Sequence, residues 1–580
     1  MASQVIHVHK LVFCVLPLLT ISFAMDCSDF HQTCLNLYPQ DFNLMEEMES
    51  RVSSLERRLR AVEQPVWQIG GKEEDWEICA DGPCKCSPET KSLSCWRYGL
   101  LDVPPSQMVP HDILKLDLGS NELTALHRDL FLHMTKLNHL DLSNNFIDYL
   151  PLNLFFSLYG ATHVRLSKNF LKELHPNQLL RMRNLNILDI SSNRLRTLPD
   201  GLFLTNNNLA LLDLSVNHIY SLPAGVFQGL KSLEELLLTN NRISTLPNSI
   251  FRECKKLKCL RLDDNRMRKL PDDLFTPLIE LKELNLRGNQ LSEVNSKLLT
   301  PLKELLTLDL SQNKITYVSR TNAPPTTKIF LQVHLLEEKI NYQIDQYAFE
   351  RLESLKELQL GQNHIKNLPV GLFDATKDLD RLNVYGNNVE SLSKMVFRGL
   401  WNLTSLFLHS NRLRIVHPEV FKDTPSLRKL QLEGNHLTYL PARIFDAVPQ
   451  IQQVRLARNP WHCDCGTGYL ALWLQRRYLA ITETPNQSRN NSSFWDFGAG
   501  AVCRSPSVFN GKLLLQLTFH ELCEGQWASM KGLVPRLPID IIGAAGTGLV
   551  PLPHISTLFY ISNRTSAYIY ITYRNFIPQA

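Results

Sequence analysis

Asparagine recurs at a fixed interval along this chain. Asn121, Asn145, Asn169, Asn193, Asn217, Asn241, Asn265, Asn289 and Asn313 each follow the last by 24 residues, and a second train runs through Asn363, Asn387, Asn411, Asn435 and Asn459. Aliphatic residues keep constant offsets ahead of them, as in LNHLDLSNNFI (Leu137, Leu140, Leu142, Asn145, Ile147) and LRKLQLEGNHL (Leu427, Leu430, Leu432, Asn435, Leu437). A unit this short cannot bury its own leucines. Successive units must stack and share one continuous core, so the period excludes a set of separate globular domains and dictates a solenoid. The x-Leu-x-Leu segment of each unit predicts a short strand of a parallel sheet on the inner face. The asparagine turns inward, where its amide both donates to and accepts from backbone groups of adjacent loops. Outer segments such as LPAGVFQGLKSL bring Leu222, Phe227, Leu230 and Leu233 to the same core from the convex side.

The pattern LxxLxLxxNxL resembles the leucine-rich repeat. One interval departs from it: 50 residues separate Asn313 from Asn363. The best register there is FLQVHLLEEKI, with Phe330, Val333, Leu335 and Ile340 in the aliphatic positions and Glu338 in place of asparagine, and TNAPPTT (321–327) replaces the usual outer segment. A carboxylate in the ladder is costly without a donor. The segment reads as a degenerate repeat or as a loop built for partner contact. Counted as a repeat, it brings the array to about 15 units over 113–459. The expected fold class is an α/β solenoid, a leucine-rich repeat horseshoe with a parallel concave sheet, capped by disulfides and preceded by a short coiled coil.

The array stops at NPWHCDC, residues 459–465. His462, Cys463, Asp464 and Cys465 are all metal-ligand types, so the motif reads as half of a zinc site or as two disulfide halves. The compartment bears on the choice. Residues 1–24, MASQVIHVHKLVFCVLPLLTISFA, carry a charged head, an apolar run from Leu11 and small residues at Ser22 and Ala24, the pattern of a secretory signal. The run is too short for a membrane span. Export favours disulfides, and no second ligand pair stands at ordinary zinc spacing. Cys463 and Cys465 are followed by Cys503 and Cys523, while Cys79, Cys84, Cys86 and Cys95 precede the array. These spacings resemble the flanking cysteine caps of extracellular leucine-rich repeat proteins, the group that includes slit, chondroadherin, the small leucine-rich proteoglycans and Toll-type ectodomains. The resemblance implies pairing of first with third and second with fourth: Cys79 with Cys86, Cys84 with Cys95, Cys463 with Cys503 and Cys465 with Cys523. It places Trp461 on the last leucines and a helix at YLALWLQ (469–475). The caps are expected over 77–112 and 460–524. Cys254 replaces a core leucine and is expected as a buried thiol. Cys259, on a strand, is expected to face the concave surface.

An extension, 25–76, precedes the caps. Within 45–62, Met45, Met48, Val52, Leu55, Leu59 and Val62 alternate three and four apart, a heptad seam. Arg51 and Arg58 fall at g and Glu56 and Glu63 at the following e positions, so charges of opposite sign meet across a parallel pair. The alternatives are a coiled coil that makes a homo-oligomer, with Cys27 and Cys34 able to link chains, or an amphipathic helix lying on its own protein. Pro65 ends the helix, and 66–78 reads as a linker. At the other end, 525–580 loses the repeat pattern. Residues 541–561 lack Asp, Glu, Lys and Arg over a length that crosses a bilayer, but glycines and prolines interrupt them. An irregular tail and a single-pass membrane anchor are the two readings.

Sequons mark Asn402, Asn486, Asn490, Asn491 and Asn563 as glycosylation acceptors. A net charge of +4 over 580 residues gives no whole-chain argument for nucleic acid. No nucleophile, base and orienter stand in a recognisable set, and no cofactor or metal motif is present, so a non-enzymatic role is expected. The strands instead offer an outward surface. Its early part is acidic (Asp117, Asp141, Asp189, Asp213), where the Asp of LDLS also suits a structural role. Its late part gathers Arg381, Tyr385, Phe407, His409, Lys429 and Arg455. Exposed aromatics beside arginine are the composition of protein-binding hot spots. The family resemblance implies the same: secreted, extracellular recognition of a protein ligand in adhesion, patterning or innate immunity. Its alternatives are a matrix component binding collagen or proteoglycan, and a regulatory subunit of an extracellular enzyme.

Overall fold

The computed structural model describes residues 39–70, 75–315, 317–319, 348–482 and 500–528. The signal segment, Cys27, Cys34, Glu338, Asn486, Asn490, Asn491, Asn563 and 541–561 lie outside them. No helix among the described residues is long and apolar enough to cross a membrane. The described residues fall into two compact units, one reaching Leu158 and including Asn169–Lys172, the other taking Tyr159–Lys168 and everything from Glu173.

In the first unit the hairpin of Lys85–Ser87 and Ser92–Ser94 is antiparallel, and its second strand starts a parallel run through Lys115–Asp117 and His139–Asp141. Disulfides Cys79–Cys86 and Cys84–Cys95 hold this cap. The helix Pro39–Glu63 contains the whole heptad seam. The segment after it, expected as a linker, is docked. Trp67 is buried and donates from Nε1 to Leu130 O at 3.0 Å, while Gln68–Gly70 pairs in parallel with Met108–Pro110. One aromatic anchor and three backbone pairs leave no periodic trace, which is why the sequence reads as a linker there.

The second unit is a parallel ladder of three-residue strands, from His163–Arg165 to Gln453–Arg455, each paired in register with the next. The middle residue of each strand is buried and its neighbours face outward, the alternation a pleated strand requires. The parallel solenoid turns of the two units number about 14. The count is about 14 and not the expected 15, because Thr307–Asp309 pairs directly with Glu357–Gln359; Glu338 lies outside the described residues.

The asparagine ladder makes the same step. Asn217 Nδ2 donates to Ile190 O, Leu214 O and Ser215 O at 3.1–3.3 Å, and its Oδ1 accepts from Leu195 N at 3.1 Å. Asn363 does the same, donating to Leu310 O and Leu360 O and accepting from Ile315 N across the 50-residue interval. Among the described residues the ladder thus passes from Asn313 to Asn363. On the convex side phenylalanines stack at turn spacing, Phe203, Phe227, Phe251 and Phe275 at centroid separations of 6.2–6.5 Å.

The far end is a lid. Cys463–Cys503 and Cys465–Cys523 are disulfides. Trp461 is wholly buried and donates to Leu456 O at 3.0 Å, and the helix Gly468–Thr482 follows, with Trp473 against Phe445. The other two residues of the ambiguous motif also have structural partners. His462 Nδ1 lies 2.6 Å from Ser505 Oγ, and Asp464 caps the Cys465–Thr467 turn and accepts from Tyr439. Among the described residues no group of three metal-ligand types is arranged to hold a metal. Cys254 is a buried free thiol, pushed up to about 12 by burial, and Cys259 is a half-buried free thiol on its strand.

Candidate functional site on the sheet face

The outward strand positions form rows because neighbouring strands pair in register. Residues Arg381, Ser405, Lys429 make one row, and Asn383, Phe407, Gln431, Arg455 the next. Gly361, Tyr385, His409 and Glu433 follow where the strands end, joined turn to turn by backbone bonds such as Gly386 N to His409 O. The six residues singled out from sequence therefore share one patch over four adjoining turns. Strands about 4.8 Å apart place Arg381 about 10 Å from Lys429, and Phe407 the same distance from Arg455.

The centre of the patch is aromatic. Tyr385 stacks on His409 with centroids 4.9 Å apart and planes 12° from parallel, and its hydroxyl donates to Gln362 Oε1 at 2.9 Å. The tyrosine lies flat because residue 361 is glycine: a Cβ there would come within 2.3 Å of the ring. His409 is pushed below the ordinary histidine range, mainly by burial, with Glu433 opposing the shift and Arg455 adding to it. Its Nδ1 and Glu433 Oε2 are buried and make no hydrogen bond among the described residues. Arg455 lies 3.9 Å from the other oxygen of Glu433, and Arg381 is held 3.4 Å from Glu357. Lys429 is exposed and Phe407 is half-buried. The result is a ring platform, flanked by cations, with two polar atoms already removed from water.

Gly361, Gln362 and Glu433 were missed from sequence. Gly361 had a signal, since most turns carry a serine, threonine or larger residue two places before the ladder asparagine. The acidic early row proves structural. Asp141, Asp189, Asp213 and Asp309 each accept at 2.8–3.0 Å from the backbone N–H two residues on, which turns the chain out of the strand. Asn402 is exposed, on the outer segment of its turn.

A family model described as leucine rich repeat matches 113–171, 160–219, 183–243, 207–267, 255–315, 377–437 and 401–460. The fold is a leucine-rich repeat solenoid. The model passes over the interval between 315 and 377, where the ladder also skips. No curated protein matches the sequence. Among solved structures, the leucine-rich repeat protein of Leptospira interrogans is 25% identical, with a TM-score of 0.55 over 70% of this chain and 92% of its own. Toll in its complex with Spatzle, from Drosophila, is 21% identical with a TM-score of 0.52 over 70% of this chain. This leucine-rich repeat chain spans about half of Toll, 55% of its length.

Proposed function

We propose that this leucine-rich repeat protein is secreted and recognises an extracellular protein through the Tyr385–His409 platform. The observation that carries the reading is the platform itself: a flat ring pair, flanked by arginines, with the unused His409 Nδ1 and Glu433 Oε2 beneath it. Both atoms are already out of water, so a ligand that covers the ring pair adds no further desolvation cost at them. Aromatic and arginine anchors around a desolvated centre are what hot spots are built from. The capping disulfides fit an oxidising compartment. Replacing Tyr385 and Phe407 by alanine weakens binding by about 2–4 kcal/mol in total, while secretion is retained. Unchanged affinity of the secreted double variant refutes this placement of the site.

The same protein acts as a homo-oligomer in this reading, through the Pro39–Glu63 helix. Met48, Val52, Leu55, Leu59 and Val62 are 50–62% exposed, whereas Arg57 and Ala61 on the opposite side of the helix are turned to the protein at 9% and 3%. An amphipathic helix lying on its own chain buries its apolar stripe; this one buries the other side. The g and e charges, Arg51 and Arg58 against Glu56 and Glu63, suit a second copy of the same helix in parallel.

A further inference from the structure

A hollow of about 460 Å³ in the second unit lies away from the platform and is lined by Arg196, His218, Tyr220, Arg242, Ser244 and Arg266. All six follow a ladder asparagine by one or three residues, where the chain leaves the strand with every second side chain pointing out. Residue two of each trio, Leu195, Ile219, Ile243 or Met267, is buried in the core. Over these four turns the outward positions hold Arg194, Arg196, His218, Tyr220, Arg242, Ser244, Arg266 and Arg268, without a carboxylate. Backbone bonds from Tyr220 N to Arg196 O, Arg242 N to Ile219 O and Arg266 N to Ile243 O hold the turns in register.

Arg196, Arg242 and Arg266 are exposed, and among the described residues their guanidinium groups take part in no ion pair or side-chain hydrogen bond. Some exposed arginines elsewhere on this solenoid are matched across turns, as Arg261 is with Glu283 and Arg381 with Glu357. Four turns at about 4.8 Å each make a row of cations about 14 Å long. Such a row matches anionic groups repeated along a flexible chain. A net charge near balance hides it, because the compensating acids lie elsewhere.

We propose that this row binds a sulfated polysaccharide. Single-stranded nucleic acid is held on successive stacking rings; here His218 and Tyr220 share one turn, and the turns on either side carry only arginine and serine at these positions. A folded acidic protein is anchored at desolvated hot spots, whereas Arg196, Arg242 and Arg266 are exposed. The polysaccharide assignment rests on the extracellular reading above but not on the platform.

The test is affinity of the intact secreted protein for a size-defined heparin oligosaccharide as a function of salt, with four variants beside the wild type. The triple substitution R196Q/R242Q/R266Q lowers the slope of log K against log salt by about 2, by analogy with about 0.7 per contact for a flexible polyanion. The triple R196K/R242K/R266K retains the slope. Removing the same charge from the outer side of nearby turns with K231Q/K255Q/K256Q leaves it unchanged, and so does Y385A/F407A. Chemically desulfated heparin does not bind. Absence of heparin binding by the wild type overturns the proposal, as does equal loss in the lysine control. Tighter binding of a size-matched single-stranded oligonucleotide or of polyglutamate overturns the assignment to a polysaccharide. Loss in Y385A/F407A moves the site to the platform.

Discussion

Replacing Asn217 by alanine removes four hydrogen bonds from the interior of the second unit. The side chain is 4% exposed, so water does not replace them. Leu195 N loses its acceptor outright, while the carbonyls of Leu214 and Ser215 lie within the same tight loop and Ile190 O in an adjoining turn. One stranded donor costs about 1–3 kcal/mol and each net hydrogen bond about 1 kcal/mol more, part of which local relaxation recovers. A loss of about 2–3 kcal/mol is expected. In a solenoid each turn contacts its neighbours only, so the loss is local and hydrogen exchange is the proper assay. Exchange at Leu195 and adjoining amides accelerates by about 30- to 150-fold, while the turn at Asn435 is unaffected. Asn217→Asp sharpens the argument. Burial raises the folded carboxyl pKa above its unfolded value of about 3.9, so the variant is nearest wild type at about pH 4 and loses stability as pH rises through the folded pKa. Protection at Leu195 that is unchanged in Asn217→Ala, or pH-independent loss in Asn217→Asp, refutes the ladder as the element that holds turns together.

Two further outcomes follow from the helix and the platform. Glutamate at both Leu55 and Leu59 puts like charges into a seam between copies and dissociates the oligomer; light scattering that shows a monomer before and after the change refutes the coiled coil. Truncation of the chain through Gln64 gives the same monomer and leaves Trp67 docked on Leu130. His409, depressed chiefly by burial, titrates below the ordinary value of about 6.5. Its contribution to stability is therefore complete above that value and is lost as pH falls through the folded pKa. An NMR titration midpoint at or above 6.5 contradicts the packing of the Tyr385 pair.

The regular turns were legible because their core contacts repeat with the sequence: a buried strand leucine, an amide with both a donor and an acceptor, and a convex phenylalanine occur at constant offsets. The same periodicity counted one turn too many around Glu338, where the flanking aliphatics satisfy the pattern but Thr307–Asp309 pairs directly with Glu357–Gln359. Trp67 was invisible for the opposite reason, being one anchor with no period. On the outward face the backbone sets rows but not alliances. Tyr385, Phe407 and the arginines could be picked out by residue type. That Tyr385 lies over Gly361 and stacks on His409 depends on contacts between turns 24 residues apart, and the basic row was concealed by counting charge over the whole chain.

The central claim is that recognition takes place on the sheet face around Phe407. A photo-crosslinking residue placed at Phe407, and in a second sample at Trp401, which is 53% exposed on the outer segment of the same turn, tests it directly in extracellular fluid. The account predicts a discrete crosslinked protein from position 407, abolished by Tyr385→Ala and absent from position 401. Crosslinking from 401 alone, or the same product from 407 with Tyr385→Ala, contradicts it.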